Sequence, residues 1–106
     1  MIVVGTDVVE RYFADRAGHK RRAARAQYDV WLAIAGQAQW RSPEDVKRSH
    51  PKASILKGSR VVFNIKGNDY RLVVAVDFEK SIVWIKWIGT HKDYDKINVK
   101  EVQHGR

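Results

Sequence analysis

The sequence contains no cysteine, and this absence excludes several kinds of structure and chemistry. The fold can form no disulfide, and neither a thiolate zinc site nor a cysteine nucleophile is possible. The stability of the folded chain must therefore come from packing alone.

The sequence also lacks a long apolar run. No stretch approaches the roughly 18 apolar residues that a spanning helix requires, so we expect no membrane association. Residues 1–5 are apolar, but this run is too short for a secretory signal and lacks its basic start. We therefore predict a first strand there, and a cytoplasmic protein.

Acidic residues are scarce relative to basic ones, with 12 Asp and Glu against 20 Lys and Arg, which gives a net charge of +8. An excess of this size favours an anionic partner, most commonly nucleic acid. For any single basic residue, a solvated surface position is the better explanation, whereas the excess as a whole favours anionic binding. The basic residues form two sets, one of Arg16, Lys20, Arg21, Arg22 and Arg25, and one of Arg41, Lys47, Arg48, Lys52, Lys57, Arg60, Lys66 and Arg71.

The length and the hydrophobic spacing predict one domain over residues 1–106. Helical spacing indicates a helix from Thr6 to about Gly18 and a second over residues 19–37. Ser42 followed by Pro43 and two acids is a typical helix start with Ser42 as N-cap, and Pro51 ends this third helix.

From Ser59 onwards the apolar residues alternate with a period of two, which predicts strands. Turns at residues 67–69 and 79–81 separate three strands, and Trp84 and Trp87 are expected on opposite faces of the third. Helices followed by strands predict an α+β domain, in which N-terminal helices pack on one face of a small, mainly antiparallel twisted sheet.

Polar residues gather around the first predicted hairpin in a way that packing does not require. These residues are Asn64, Lys66, Asn68 and Arg71. An arginine at the start of an apolar strand either extends its head group to solvent from the sheet edge or presents a guanidinium to a phosphate.

A second polar stretch, residues 90–96, follows the last strand and reads Thr-His-Lys-Asp-Tyr-Asp-Lys. It combines an imidazole, cations, a phenol and two carboxylates within seven residues. One histidine with two carboxylates lacks the usual spacing of a zinc site, so we expect no metal. The other histidines, His19, His50 and His104, are expected in solvent.

These two stretches carry a resemblance to a known family. Residues 62–74, Val-Phe-Asn-Ile-Lys-Gly-Asn-Asp-Tyr-Arg-Leu-Val-Val, and residues 88–97, Ile-Gly-Thr-His-Lys-Asp-Tyr-Asp-Lys-Ile, resemble the HigB family of toxins in order and spacing. With less precision the resemblance extends from about Tyr28 to Glu101. Asp93 stands where that family frequently has Glu, and residues 16–25 are more basic than the family leads us to expect.

The resemblance implies a RelE-like fold and a toxin that enters the ribosomal A site and cleaves messenger RNA during translation. It also implies neutralisation by a separate HigA-type antitoxin, usually a helix-turn-helix protein. Cleavage would be attack of a ribose 2′-hydroxyl on its own 3′-phosphate, with neither a metal nor another cofactor.

Such cleavage needs a group that transfers protons and cations that stabilise the phosphorane. We assign His91 as general base or acid, Arg71 and Lys92 as the cations, and Tyr94 as a stacking aromatic or proton donor. Asp93 and Asp95 either orient His91 or cap the last turn. The residues predicted to bind RNA are Asn64, Lys66, Asn68, Lys57, Arg60, Lys20, Arg21 and Arg22.

Two alternatives stay open at this point. A non-catalytic RNA-binding module would need only the net charge and exposed aromatic residues, for which Tyr70, Trp84 and Trp87 are available. A purely protein-binding domain would need an exposed apolar patch that includes Trp31 or Trp40. The RNA-binding module does not account for the clustering of His91, Lys92 and Tyr94, and the pI of about 10.0 disfavours the protein-binding domain.

Overall fold

The computed structural model describes part of the chain as a mixed five-stranded sheet with three helices on one of its faces. That part comprises residues 1–14 and 19–97, without the side chains of residues 19 and 20. The elements are β1 (Ile2–Val4), α1 (Thr6–Ala14), α2 (His19–Gln37), α3 (Pro43–Ser49), β2 (Ser54–Leu56), β3 (Arg60–Ile65), β4 (Tyr70–Asp77), β5 (Ile82–Thr90) and α4 (His91–Tyr94).

The strands lie in the order β1-β5-β4-β3-β2, and only β1 runs parallel to its neighbour. The predicted α+β class and mainly antiparallel sheet are therefore confirmed. The chain leaves β1 through Gly5, whose φ is +91°. A Cβ on Gly5 would lie 2.7 Å from the carbonyl oxygen of Ile85, so only glycine fits this close turn into α1.

The main core lies between the sheet and helices α1 to α3. The predicted apolar stripes face it: Val8, Val9 and Phe13 of α1 are buried, as are Ala24, Tyr28, Trp31 and Ala35 of α2. They pack on alternate residues of the strands, which include Val61, Phe63, Leu72, Val74 and Ile85. The end of α1 that we predicted near Gly18 lies outside the described residues.

The third helix begins as predicted after Ser42, but the Ser42 side chain forms no capping hydrogen bond. Instead its backbone carbonyl accepts from the Asp45 N–H, and the Asp45 carboxylate accepts from the Arg41 N–H at 2.9 Å. This backbone hydrogen bond, with the nearby Arg48 guanidinium, lowers the pKa of Asp45.

The strand β5 contains an irregularity that the alternating pattern did not predict. Trp87 pairs with Val73 and Trp84 pairs with Ala75, while the register shifts between Val73 and Val74. Because Val73 and Ala75 point to the same side of β4, Trp84 and Trp87 share one face of the sheet. The expectation that they lie on opposite faces is wrong.

The loop after α3 corrects two further expectations. His50 is half-buried, with its ring edge-on to Phe63 at a centroid distance of 5.0 Å, rather than solvated. Burial lowers the pKa of His50. Trp31 and Trp40 are only 3% and 4% exposed, so neither contributes to a surface patch that could bind a protein.

The second face of the sheet carries a smaller apolar cluster. Val62, Val73 and Trp87 form it, with Tyr94 and Ile97 packed against them. The helix α4 thus covers the end of this face where β4 begins and β5 ends. Within the described residues, no helix is long and apolar enough to cross a membrane.

Candidate active site

The strand register brings the two polar stretches of the sequence to one end of the sheet. Arg71 in β4 pairs with Asn64 of β3 on one side and with Gly89 of β5 on the other. Tyr70 pairs with Thr90, the residue directly before α4. The guanidinium of Arg71 and the imidazole of His91 consequently lie near the same strand ends, on the face that α1 to α3 leave open.

The β3–β4 turn holds the Arg71 side chain in place. Arg71 Nη2 donates to Asn68 Oδ1 at 2.7 Å, and Nη1 donates to the Asn68 backbone carbonyl at 3.0 Å. The turn itself is fixed from α2, since Gln27 Oε1 accepts from the Lys66 N–H at 2.7 Å. Lys66 also forms an ion pair with Asp69, at 3.2 Å between Nζ and Oδ2.

The short helix α4 presents His91 beside this turn. Thr90 Oγ1 caps α4 by accepting from the Asp93 N–H at 3.1 Å, and the His91 N–H donates to the Asp69 carbonyl at 2.9 Å. The ring lies between two side chains: its Nδ1 is 3.4 Å from Asn68 Nδ2, and its Nε2 is 3.6 Å from Asp95 Oδ2. The imidazole is thus linked to Arg71 through Asn68.

Aromatic rings form the floor beside these groups. The guanidinium carbon of Arg71 lies 5.9 Å from the centroid of the Tyr94 ring, and the Tyr94 ring lies 6.2 Å from that of Trp87. A cation over an aromatic face at this distance is attracted to it and is held in position. Tyr94 therefore places Arg71 as well as offering a surface of its own.

The groups assigned to catalysis are accessible to a large substrate. Arg71, His91 and Tyr94 are each half-exposed, and Lys92 is exposed. A cleft of about 620 Å³ opens on the Asn68 side, and its walls include His50, Lys52 and Asn64. On the other side of α4, a second cleft of about 510 Å³ reaches Arg11, Trp87, Asp93 and Lys96.

The remaining predicted RNA-binding residues lie near the start of β3 and on α2. Lys57 is exposed and Arg60 is 8% exposed, and both lie at the end of β3 away from Asn64. Arg21 is half-exposed and Arg22 exposed on α2. The Lys20 side chain lies outside the described residues.

The aromatic residues that a purely RNA-binding module would need are mostly covered. Tyr70 is 4% exposed and Trp87 is 9% exposed, which leaves Trp84 half-exposed. Among the described residues, no group of three or more histidine, aspartate or glutamate side chains is placed to hold a metal ion.

Sequence reasoning missed three contributors to the site. Gln27 anchors the turn from a helix that the sequence associates only with the core, and no local pattern marks it. His50 and Lys52 line the cleft beside Asn68. Lys52 belongs to the second basic set, which is the single sequence signal that could have indicated it.

Comparison with known proteins shows which protein family the chain resembles. Residues 24–97 match a protein family described as HigB_toxin, the RelE-like toxic component of a toxin-antitoxin system. The mRNA interferase toxin HigB of Escherichia coli (strain K12) is 36% identical over 58 residues, which is 53% of this chain and 56% of that protein. The mRNA interferase HigB proteins of Escherichia coli O157:H7 and Shigella flexneri match to the same extent.

The chain thus spans about half the length of the curated relatives it matches. The family match covers more than half of this chain and includes both polar stretches, as well as Gln27, Asn68, Arg71 and His91. The protein belongs to the HigB family of RelE-like toxins.

Proposed function

We propose that this protein is an endoribonuclease that cleaves messenger RNA on the ribosome. The observation that carries the proposal is the continuous set of contacts from Tyr94 through Arg71 and Asn68 to His91, at an exposed end of the sheet. Family membership and the name mRNA interferase, which the relatives bear, support the same reaction class.

The reaction requires only the RNA and groups of this kind. The 2′-oxygen of a ribose attacks the adjacent phosphorus and loses its proton to a base, while the bond from phosphorus to the 5′-oxygen breaks and that oxygen gains a proton. The products are a 2′,3′-cyclic phosphate and a 5′-hydroxyl. His91 supplies the imidazole of this site, and Arg71 and Lys92 supply positive charge for the phosphorane.

Arg71 suits the phosphate because its guanidinium is already oriented. Two hydrogen bonds to Asn68 and the Tyr94 ring fix the plane of the guanidinium before RNA arrives. A cation held in place in this way loses little side-chain entropy on binding and can form paired hydrogen bonds with phosphate oxygens. Tyr94 and the cleft beside Asn64 provide surfaces for the neighbouring nucleotides.

The proposed activity also implies the binding partners of the protein. The substrate is messenger RNA in the ribosomal A site, and the basic residues Arg21 and Arg22, with Lys20, bind ribosomal RNA phosphates. A HigA-type helix-turn-helix antitoxin neutralises the toxin, and both act in the cytoplasm. The net charge of +8 is consistent with such polyanionic partners.

The proposal is tested by inducing the protein in cells and mapping the new 5′ ends of their messages. We expect discrete cuts inside translated codons with the wild-type protein, and none with His91→Ala or Arg71→Ala. The matched control is Arg48→Ala, which removes an arginine whose guanidinium pairs with Asp45. RNA binding without cuts would instead support the non-catalytic module.

A further inference from the structure

We propose that Asn68 is a positioning residue that determines which ring nitrogen of His91 carries the proton. The position of the proton follows from contacts in the free protein, and only its consequence for cleavage rests on the proposed function. Asn68 was expected from the sequence to contact RNA, whereas in the structure its side chain joins Arg71 to His91.

The contact with Arg71 determines the orientation of the Asn68 amide. A guanidinium has only hydrogen-bond donors, so the amide atom 2.7 Å from Arg71 Nη2 must be the oxygen. Rotating the amide by half a turn would place an N–H against the guanidinium and remove this charge-assisted hydrogen bond. Arg71 is itself fixed by a second hydrogen bond, to the Asn68 backbone carbonyl.

The orientation of the Asn68 amide in turn determines which ring nitrogen of His91 carries the proton. With its oxygen on Arg71, Asn68 can direct only its amide N–H towards His91 Nδ1, at 3.4 Å. A nitrogen that faces a donor must provide its lone pair, so the proton of the neutral ring lies on Nε2. Asp95 favours the same arrangement, because its carboxylate oxygen lies 3.6 Å from Nε2.

The charged groups around the ring come from two elements. Asp95 and Lys92 lie on or directly after α4, and Arg71 and the ion pair of Lys66 with Asp69 lie on the hairpin. On the hairpin, the Asp69 carbonyl accepts from the His91 backbone N–H, and the Asp69 carboxylate pairs with Lys66.

This arrangement has a consequence for the reaction. The neutral ring meets the RNA with its Nε2–H, which can donate a hydrogen bond to a phosphate oxygen without transferring the proton. Taking the proton of the 2′-hydroxyl would require the lone pair on Nδ1, and the Asn68 amide would first have to move off it. Arg71 thereby influences His91 without touching it.

The test is ¹⁵N NMR of the histidine rings in the full chain at about pH 8, above the usual titration range of imidazole. His91→Ala assigns the His91 signals, and we expect a protonated Nε2 and a bare Nδ1. Asn68→Asp keeps an oxygen for Arg71 but offers Nδ1 an acceptor, so the proton should move to Nδ1. The control is Asn64→Asp, which adds the same negative charge at the cross-strand partner of Arg71. It should leave the proton on Nε2.

Three results would overturn the proposal: a proton on Nδ1 in the wild type, an unchanged ring in Asn68→Asp, or an equal change in Asn64→Asp. In single-turnover cleavage, Asn68→Asp should lose at least about tenfold more rate than Asn64→Asp, since a wrong tautomer removes proton-transfer or hydrogen-bonding capacity. If the wild type cleaves no RNA while the NMR results hold, the proposed function fails and the positioning role stands.

Discussion

Gly89 lies directly against the indole ring of Trp87, and a Cβ built on Gly89 would be 2.6 Å from Trp87 Cζ2. The same ring contacts Tyr94, which holds Arg71. The absence of a side chain at position 89 therefore lets the aromatic floor of the candidate site lie flat on β5, opposite the strand position of Arg71.

The first prediction is that Gly89→Ala displaces Trp87 and disturbs the site. Overpacking of this kind costs about 1 to 3 kcal/mol of unfolding free energy. We expect urea unfolding to show that loss, together with reduced cleavage. The control is Gly36→Ala in α2, where nothing lies within 4 Å of an added Cβ. Its stability should stay the same or rise by up to about 1 kcal/mol, and an equal loss in both variants would contradict the account.

The second prediction separates the two roles of Tyr94. If the ring places Arg71 and stacks on a base, Tyr94→Phe should lose far less activity than Tyr94→Ala. Base stacking on an aromatic side chain is worth about 1 to 3 kcal/mol, so Tyr94→Ala should bind RNA at least about fivefold more weakly. Equal loss in both variants, measured by cleavage rate, would instead assign the phenol as a proton donor.

The third prediction concerns acid sensitivity. Burial lowers the pKa of His50 in the folded protein below the ordinary value of about 6.5. Below that value the unfolded chain binds a proton that the folded ring resists, so the free energy of unfolding decreases as the pH falls. At neutral pH and above, this loss is absent.

Replacing His50 with Phe keeps a ring against Phe63 and removes the titration. Urea unfolding at about pH 7.5 and about pH 5.5 should then show a smaller loss of stability in His50→Phe than in the wild type. An identical loss in both proteins would show that His50 does not cause the acid sensitivity.

The fourth prediction concerns the basic start of α2. If Lys20, Arg21 and Arg22 bind ribosomal RNA phosphates, replacing all three with Ala weakens ribosome binding and flattens its dependence on salt. Each lost phosphate contact should reduce the slope of log K against log salt by about 0.7 to 0.9. Binding titrations over a range of salt concentrations measure this slope.

The control for this triple variant removes three other basic residues, Arg41, Arg48 and Lys80. All three are exposed, and their loss changes the net charge by the same amount. A slope that falls equally in both triple variants would indicate a general effect of charge rather than contacts made by α2.

The fold was predictable where hydrophobic spacing is regular and long. The buried stripe of α2 continues over several turns, so its period is unambiguous. The strand β2 was missed because it has three residues, which is too few to show a period. Trp84 and Trp87 were placed wrongly because a single irregularity in β5 reverses the alternation.

The site was predictable in composition but not in geometry. The residue types around Arg71 and His91 indicated phosphate chemistry, and the strand register explains why residues 23 apart, Asn68 and His91, come into contact. No sequence pattern gives the orientation of an amide or the half-burial of His50. These depend on packing between distant segments, which one sequence does not encode locally.

The most direct test of the account uses purified ribosomes carrying a defined message with a sense codon in the A site. Wild-type protein should cut the message within that codon and leave a 2′,3′-cyclic phosphate and a 5′-hydroxyl. His91→Ala and Arg71→Ala should reduce the rate by at least about a hundredfold while they stay folded. Wild-type rates in these two variants, or no cut by the wild-type protein, would contradict the central claim.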